Sequence, residues 1–250
     1  DVYNAMGTPA KNLKNIEVWN LRGKSLPMDQ LAPKLIRRAR KIDPLAIILD
    51  PIYKVITGDE NSADQMAMFC NQFDKVCTEV GCSVIYCHHH SKGAQGGKKA
   101  MDRASGSGVF ARDPDALLDL IELPLKDETY GQMKNKASCA YIQSFMDKNF
   151  PGWREFVGQD DLQSKSKLTD YCKENLSDDV MNELNANIKD LEKHVEHITG
   201  WRISCTLREY EKADDKEVWF KWPVHLPDND NILHDIRPDV EVNGKTFHQR

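Results

Sequence analysis

The 250-residue chain lacks any apolar run close to the about 18 residues that would suggest a membrane span. It shows no secretory leader, which makes the cytoplasm the expected location and a membrane partner unexpected. Its seven cysteines form no CxxC pair and no repeated zinc-type spacing. Cys70, Cys77, Cys82 and Cys87 therefore read as small buried hydrophobes of a reduced compartment. There is no HExxH, and none of His88 to His90 begins a His-x-Glu. The net charge of -5 excludes a general attraction to nucleic acid, so any such binding needs a local basic patch or a ring of subunits. The chain opens on Asp1 rather than Met, which predicts a longer parent.

What is present is organised around Leu45 to His90. Leu45-Ala46-Ile47-Ile48-Leu49 closes on Asp50-Pro51, and Cys82-Ser83-Val84-Ile85-Tyr86-Cys87 closes on His88-His89-His90. Short continuous apolar runs suit strands of a parallel sheet. Between them Met66, Phe69, Phe73, Val76, Cys77 and Val80 recur at helical spacing, with Asn61 or Ser62 to cap the helix and Gly81 to end it. Strand, helix, strand makes an α/β fold with a mostly parallel sheet. Ligands of such sheets bind outside the carboxyl ends of the strands, where Asp50 and the histidines fall.

Elsewhere, Ile16 to Asn20 reads as a strand and Asp29 to Ile42 as an amphipathic helix. Ser91 to Val109 is glycine-rich and basic, carrying Lys92, Lys98, Lys99 and Arg103, with Arg112 just beyond. These cations suit phosphate, whereas the plain alternative is a solvated loop. Asp115 to Leu123, bounded by Pro114 and Pro124, reads as a strand. Residues 126–199 form a helical insertion, with a helix over Lys134 to Asn149 and a helical hairpin over Leu162 to Ile198. Residues 200–226 return to strand character, and 227–250 read as a polar tail. Residues 1–125 and 200–226 would then form one core.

A carboxylate at a strand end can hold Mg²⁺ together with water and phosphate oxygens, although many such aspartates only cap a turn. Asp50, His88 and His90 could instead supply the three ligands of a catalytic zinc site, which would make a metal-dependent hydrolase.

Four blocks in order resemble the RepA-type hexameric replicative helicases, P-loop ATPases with a RecA-like core from phages, plasmids and mobile elements. They are Ile47-Ile48-Leu49-Asp50-Pro51-Ile52, Asp59-Glu60-Asn61-Ser62, Val84 to His89 with Lys92-Gly93, and Asp102-Arg103-Ala104-Ser105-Gly106-Ser107. The resemblance covers roughly Ile16 to Leu123, and by extension Gly200 to Trp222. It implies a RecA-like, mostly parallel twisted sheet with helices on both faces, and an ATP-hydrolysing homo-oligomeric ring, a hexamer, acting on single-stranded DNA. It implies that Asp50 is the Walker B carboxylate holding Mg²⁺ through water, with Lys92 also at the ATP. It implies that His88 or His89 reads the γ-phosphate, and that Arg103 or Arg112 is an arginine finger. Lys92, Lys98, Lys99 and Arg103 would contact DNA. The sequence departs from the pattern in one respect, since G-x-x-x-x-G-K-[ST] does not occur in these residues. A non-catalytic DNA-binding or oligomerisation module is the alternative reading.

Overall fold

In the computed structural model, a helix from Ala63 to Val80 (α3) leads directly from one strand of a parallel pair to the next. The model describes the chain apart from residues 22, 25, 57, 92–94, 100–101, 104–107, 243–244 and 248–250, and for 240–242 and 245–247 it describes the backbone alone. Ser62 caps α3 by accepting from the Gln65 N–H, and Gly81 stops it in the left-handed region at φ 77°, where a residue without Cβ is unstrained. The strands Ala46–Leu49 (β1) and Ser83–Tyr86 (β2) pair in parallel with Ala46 opposite Ser83 and Leu49 opposite Tyr86. Alternate side chains of both strands are covered. Ile47, Leu49, Val84 and Tyr86 pack with α3 and with the helix Met28–Ala39 (α2) around Met66, Phe69, Phe73 and Val76. The other face leaves Ile48 and Ile85 exposed, so the helices cover one face of this pair rather than both.

The chain is α/β and divides into two compact units. The first comprises Asp1–Glu122, Arg202–Glu217 and Arg237–Arg250; the second comprises Leu123–Trp201 and Val218–Ile236. Besides β1 and β2, the first unit holds the short helices Val2–Ala5 (α1) and Val109–Arg112 (α4). Strand Ala116–Leu123 (β3) follows. Strands Thr199–Leu207 (β4), Lys216–Lys221 (β5) and Val224–Pro227 (β6) join β3 in a sheet of order β3-β4-β5-β6, of which β5 and β6 are antiparallel. Strands Val240–Val242 (β7) and Lys245–Phe247 (β8) make a separate antiparallel hairpin.

Ile16 to Asn20, expected as a strand, is not one. Val18 is 83% exposed, and the segment is held through side chains instead. The Arg38 guanidinium lies 4.2 Å over the Trp19 ring and also meets Glu17 at 2.6 Å.

The second unit is built on Asp127–Asn149 (α5), Lys165–Asn175 (α6) and Asp178–Glu196 (α7), numbered in chain order. Ile142, Met146, Leu168, Cys172, Leu184 and Ile188 form its buried cluster with Trp153. The expected hairpin over Leu162 to Ile198 corresponds to α6 and α7. Helix α5 starts seven residues earlier than expected. It runs through Gly131, a residue that costs a helix interior about 1 kcal/mol. The Tyr130 hydroxyl, which donates to the Ile198 carbonyl at 3.1 Å, anchors this first turn. The polar stretch after Pro227, expected as a tail, contains the fully buried Leu233. Asp228 accepts from the Leu233 N–H at 2.7 Å and from the Trp219 indole at 3.0 Å.

Asp147 in α5 accepts from both Arg154 and the Trp153 indole, and these bonds, Arg154 first, lower its pKa from 3.8 to about 2. A carboxyl depressed by folding contributes stability above its unfolded pKa and loses that contribution as pH falls through the folded one. The Trp153 indole N–H resonance is therefore expected to titrate below the ordinary carboxylate range, with a midpoint of about 2, and to stop titrating in Asp147→Asn. A midpoint at the ordinary carboxylate value would refute the assignment.

Candidate functional site at the ends of two parallel strands

The parallel pairing carries past the formal strand ends. Cys87 N–H donates to the Leu49 carbonyl at 2.9 Å, and Ile52 N–H donates to the Cys87 carbonyl at 3.0 Å. These two bonds fix Asp50 beside the start of the histidine run, and Asp50 itself is exposed. The proximity has an electrostatic signature: partial burial and then the Asp50 charge push the Cys87 thiol pKa up. Asp50 is thus a solvated carboxylate at the carboxyl edge, a position from which it could hold a hydrated divalent cation.

The three histidines face three different neighbours. His88 packs on Phe110 with ring centroids 4.6 Å apart, and His89 lies 5.7 Å from the Tyr53 ring. His90 Nε2 is 2.8 Å from Asp119 Oδ1. Among the described residues no group of three or more His, Cys, Asp or Glu side chains is placed to hold a metal ion, so Asp50, His88 and His90 do not form a zinc site. The reason is local. His88 is taken up by Phe110 and His90 by Asp119, so the two rings are committed to different partners.

Of the basic residues, Lys92 lies outside the described residues. Lys98 is half-buried, with Nζ donating to the Ser91 hydroxyl at 2.8 Å, and Lys99 is exposed. Arg103 is buried, where it pairs with Asp119 and donates from Nε to the Gln95 carbonyl at 3.1 Å. Arg112 is exposed at the end of α4, and its Nε donates to the Gly108 carbonyl at 3.2 Å. The two preceding residues, Phe110 and Ala111, are buried and seat the turn.

Sequence reasoning missed two residues here. Asp119 is a charge at a buried position inside the apolar strand β3, whose other charge, Glu122, is exposed, and that interruption was its signal. Arg208 donates to the carbonyls of Arg112, at 2.8 Å, and Asp113, and it meets Asp115 at 3.2 Å. It thereby occupies Asp115, while the Arg112 side chain turns to the Gly108 carbonyl. Beneath this turn, Cys70 donates to Asp113, and burial first, then the Asp113 charge, push its thiol up to about 12. Cys70 is therefore a protonated core thiol. Of the four cysteines expected inside, Cys70 and Cys82 are buried, Cys77 is half-buried and Cys87 is exposed; all seven are free.

Residues 3–95 match the family model of the AAA domain. The matched segment includes α2, β1, α3 and β2 and ends just past the histidine run, so it contains Asp50 and His88 to His90. It supports an ATPase-type, nucleotide-binding ancestry for this part of the chain. No solved structure matches the chain. Among the described residues no helix is long and apolar enough to cross a membrane.

Proposed function

We propose that this chain is part of a ring-forming ATPase that moves along single-stranded DNA, a helicase or helicase-like motor of phage, plasmid or mobile-element replication. The observation that carries the reading is the exposed Asp50 set beside the histidine run at the carboxyl edge of a parallel pair, inside the segment that matches the AAA domain. Asp50 would hold Mg²⁺ on ATP through water. His88 and His89 would read the γ-phosphate, because imidazole can donate to a phosphate oxygen. When bound, MgATP would supply the phosphoryl group whose transfer drives movement. Lys92, Lys98, Lys99 and, by the resemblance, Arg103 would meet DNA phosphates, and Arg112 or Arg103 would reach a neighbouring subunit's nucleotide. A RecA-like core and a hexameric ring belong to the same proposal.

The second reading is a non-catalytic DNA-binding or oligomerisation module. A DNA-binding module would share the DNA contact, and only the first reading predicts turnover.

The test for DNA is the salt dependence of oligo(dT) binding. Each neutralised phosphate of a single strand contributes about -0.7 to the slope of log K against log salt. The double substitution Lys98→Ala with Lys99→Ala is therefore expected to flatten the slope by about 1.4. An unchanged slope would leave these lysines as a solvated surface and remove them from the interface.

A further inference from the structure

Asp119 is one of few charged side chains buried in the described residues, and its two oxygens are committed to His90, the last of the histidine run, and to Arg103. Oδ1 meets His90 Nε2 at 2.8 Å and Oδ2 accepts from Arg103. The Asp119 side chain is 4% exposed and that of Arg103 10%. Arg103 then closes the loop upon itself. Its Nε donates to the Gln95 carbonyl, and its own carbonyl accepts from the Ser91 N–H at 2.7 Å. The Ser91 carbonyl accepts from Gln95 Nε2 at 2.7 Å, and the Ser91 hydroxyl accepts from Lys98. A further tie holds the far side. Gly96 N–H donates to the Asp239 carbonyl at 2.7 Å, and a Cβ on Gly96 would collide with the backbone oxygens of Pro238 and Asp239.

A buried carboxylate facing an arginine is sustained only by its partners, and losing one leaves a charge unpaired in a dry place. Asp119 therefore touches the chain on both sides of Ser91, Gln95 and Lys98, through His90 before them and Arg103 after them.

We infer that Asp119 is the positioning residue of the basic loop, holding Lys98 and Lys99 where they meet DNA phosphates while Arg103 braces the loop from inside. This rests on the proposed DNA reading. It makes Arg103 a strut of its own subunit rather than a group extended toward a neighbour.

The experiment uses the full chain, with Asp119→Asn, Arg103→Lys, His90→Gln and His90→Ala. Two readouts are taken: amide hydrogen exchange at Ser91 and Gly96, and the salt slope of oligo(dT) binding. Asp119→Asn is expected to raise exchange at both amides by at least about tenfold, the size expected when one charge-assisted contact is lost. It is also expected to flatten the salt slope by about 1.4, as the double lysine substitution does. Adding Lys98→Ala with Lys99→Ala to Asp119→Asn should then flatten it no further. His90→Gln, whose amide can still donate to Asp119, should keep the wild-type slope, and His90→Ala should not. If Asp119→Asn does not fold, Arg103→Lys carries the same two readouts, since an ammonium cannot meet both Asp119 and the Gln95 carbonyl in the guanidinium's geometry. A lower melting temperature with an unchanged slope and unchanged exchange overturns the inference, because Asp119 would then be structural only. Absence of salt-dependent oligo(dT) binding in the wild type overturns the DNA reading instead, and the exchange readout still reports whether Asp119 holds the loop.

Discussion

Subunits carrying Arg112→Ala and subunits carrying Asp50→Asn, each nearly inactive alone, are expected to recover ATPase activity when mixed. The protein is expressed for this test as its gene encodes it. In a head-to-tail ring each interface is heterologous, so one subunit's nucleotide edge faces a different surface of the next. The Arg112→Ala subunit keeps Asp50, and the Asp50→Asn subunit keeps its arginine. In randomly mixed rings about one interface in four would pair an intact nucleotide edge with an intact arginine. The size of the effect follows from what such an arginine does. It stabilises charge on the transferring phosphoryl group, and its loss costs about 10³ to 10⁵ in rate, or about 4 to 7 kcal/mol of barrier. Arg112 is favoured over Arg103 because it is exposed on a turn seated by buried Phe110 and Ala111, with its carbonyl held by Arg208. Arg103, in contrast, is buried against Asp119. Normal turnover by Arg112→Ala alone removes Arg112 from this role, and Arg103 would then have to leave its buried pair with Asp119 to act as the finger. Full activity of both arginine variants rejects a finger acting in trans.

How much of this site could be read from the sequence depended on how local its causes were. β1, α3 and β2 were legible because each announces itself within its own residues, through a short apolar run, a helical repeat from Met66 to Val80, a Ser62 cap and a Gly81 stop. The position of Asp50 beside the histidines followed from their parallel order. Asp119 was not legible as a partner, because its contacts lie 29 and 16 residues away in the sequence and nothing near it names them. The basic loop looked unstructured for the same reason. Its described residues Ser91, Gln95, Lys98 and Arg103 are tied by side chains that reach across to one another, not by a repeating pattern. Ile16 to Asn20 failed in the opposite sense. Its composition suits a strand, but a strand needs a neighbour to accept its backbone bonds, and here Trp19 was instead taken up by Arg38 and Glu17. Helix α5 began early because a tertiary bond from Tyr130 outweighed the weak propensity of Gly131.

Phe110→Ala is expected to be the most damaging single truncation in the first unit, and to act on stability and on the site together. Phe110 is 2% exposed and lies edge-on to Phe69 at 6.3 Å, and the Phe69 ring itself meets Phe73 at 5.1 Å. The same ring is the floor under His88. Truncating a buried phenylalanine to alanine costs about 3–5 kcal/mol, from lost burial and from the cavity left behind. Domains of this kind are stable by only about 5–15 kcal/mol, so the variant would keep little reserve. Amide exchange in α3 reports it directly, since the residues from Met66 to Val76 that face Phe110's cluster exchange only when the unit opens. Their protection is expected to fall by about two to four orders of magnitude. Phe110→Leu, which keeps most of the apolar volume but removes the ring, should restore much of that protection without restoring the aromatic contact to His88. If His88 reads the γ-phosphate from that platform, Phe110→Leu should lower turnover far more than it lowers stability. Equal protection in Phe110→Ala and wild type would mean that the cluster around α3 does not depend on α4. Full turnover in a well-protected Phe110→Leu would separate His88 from its floor and leave Phe110 a purely structural residue.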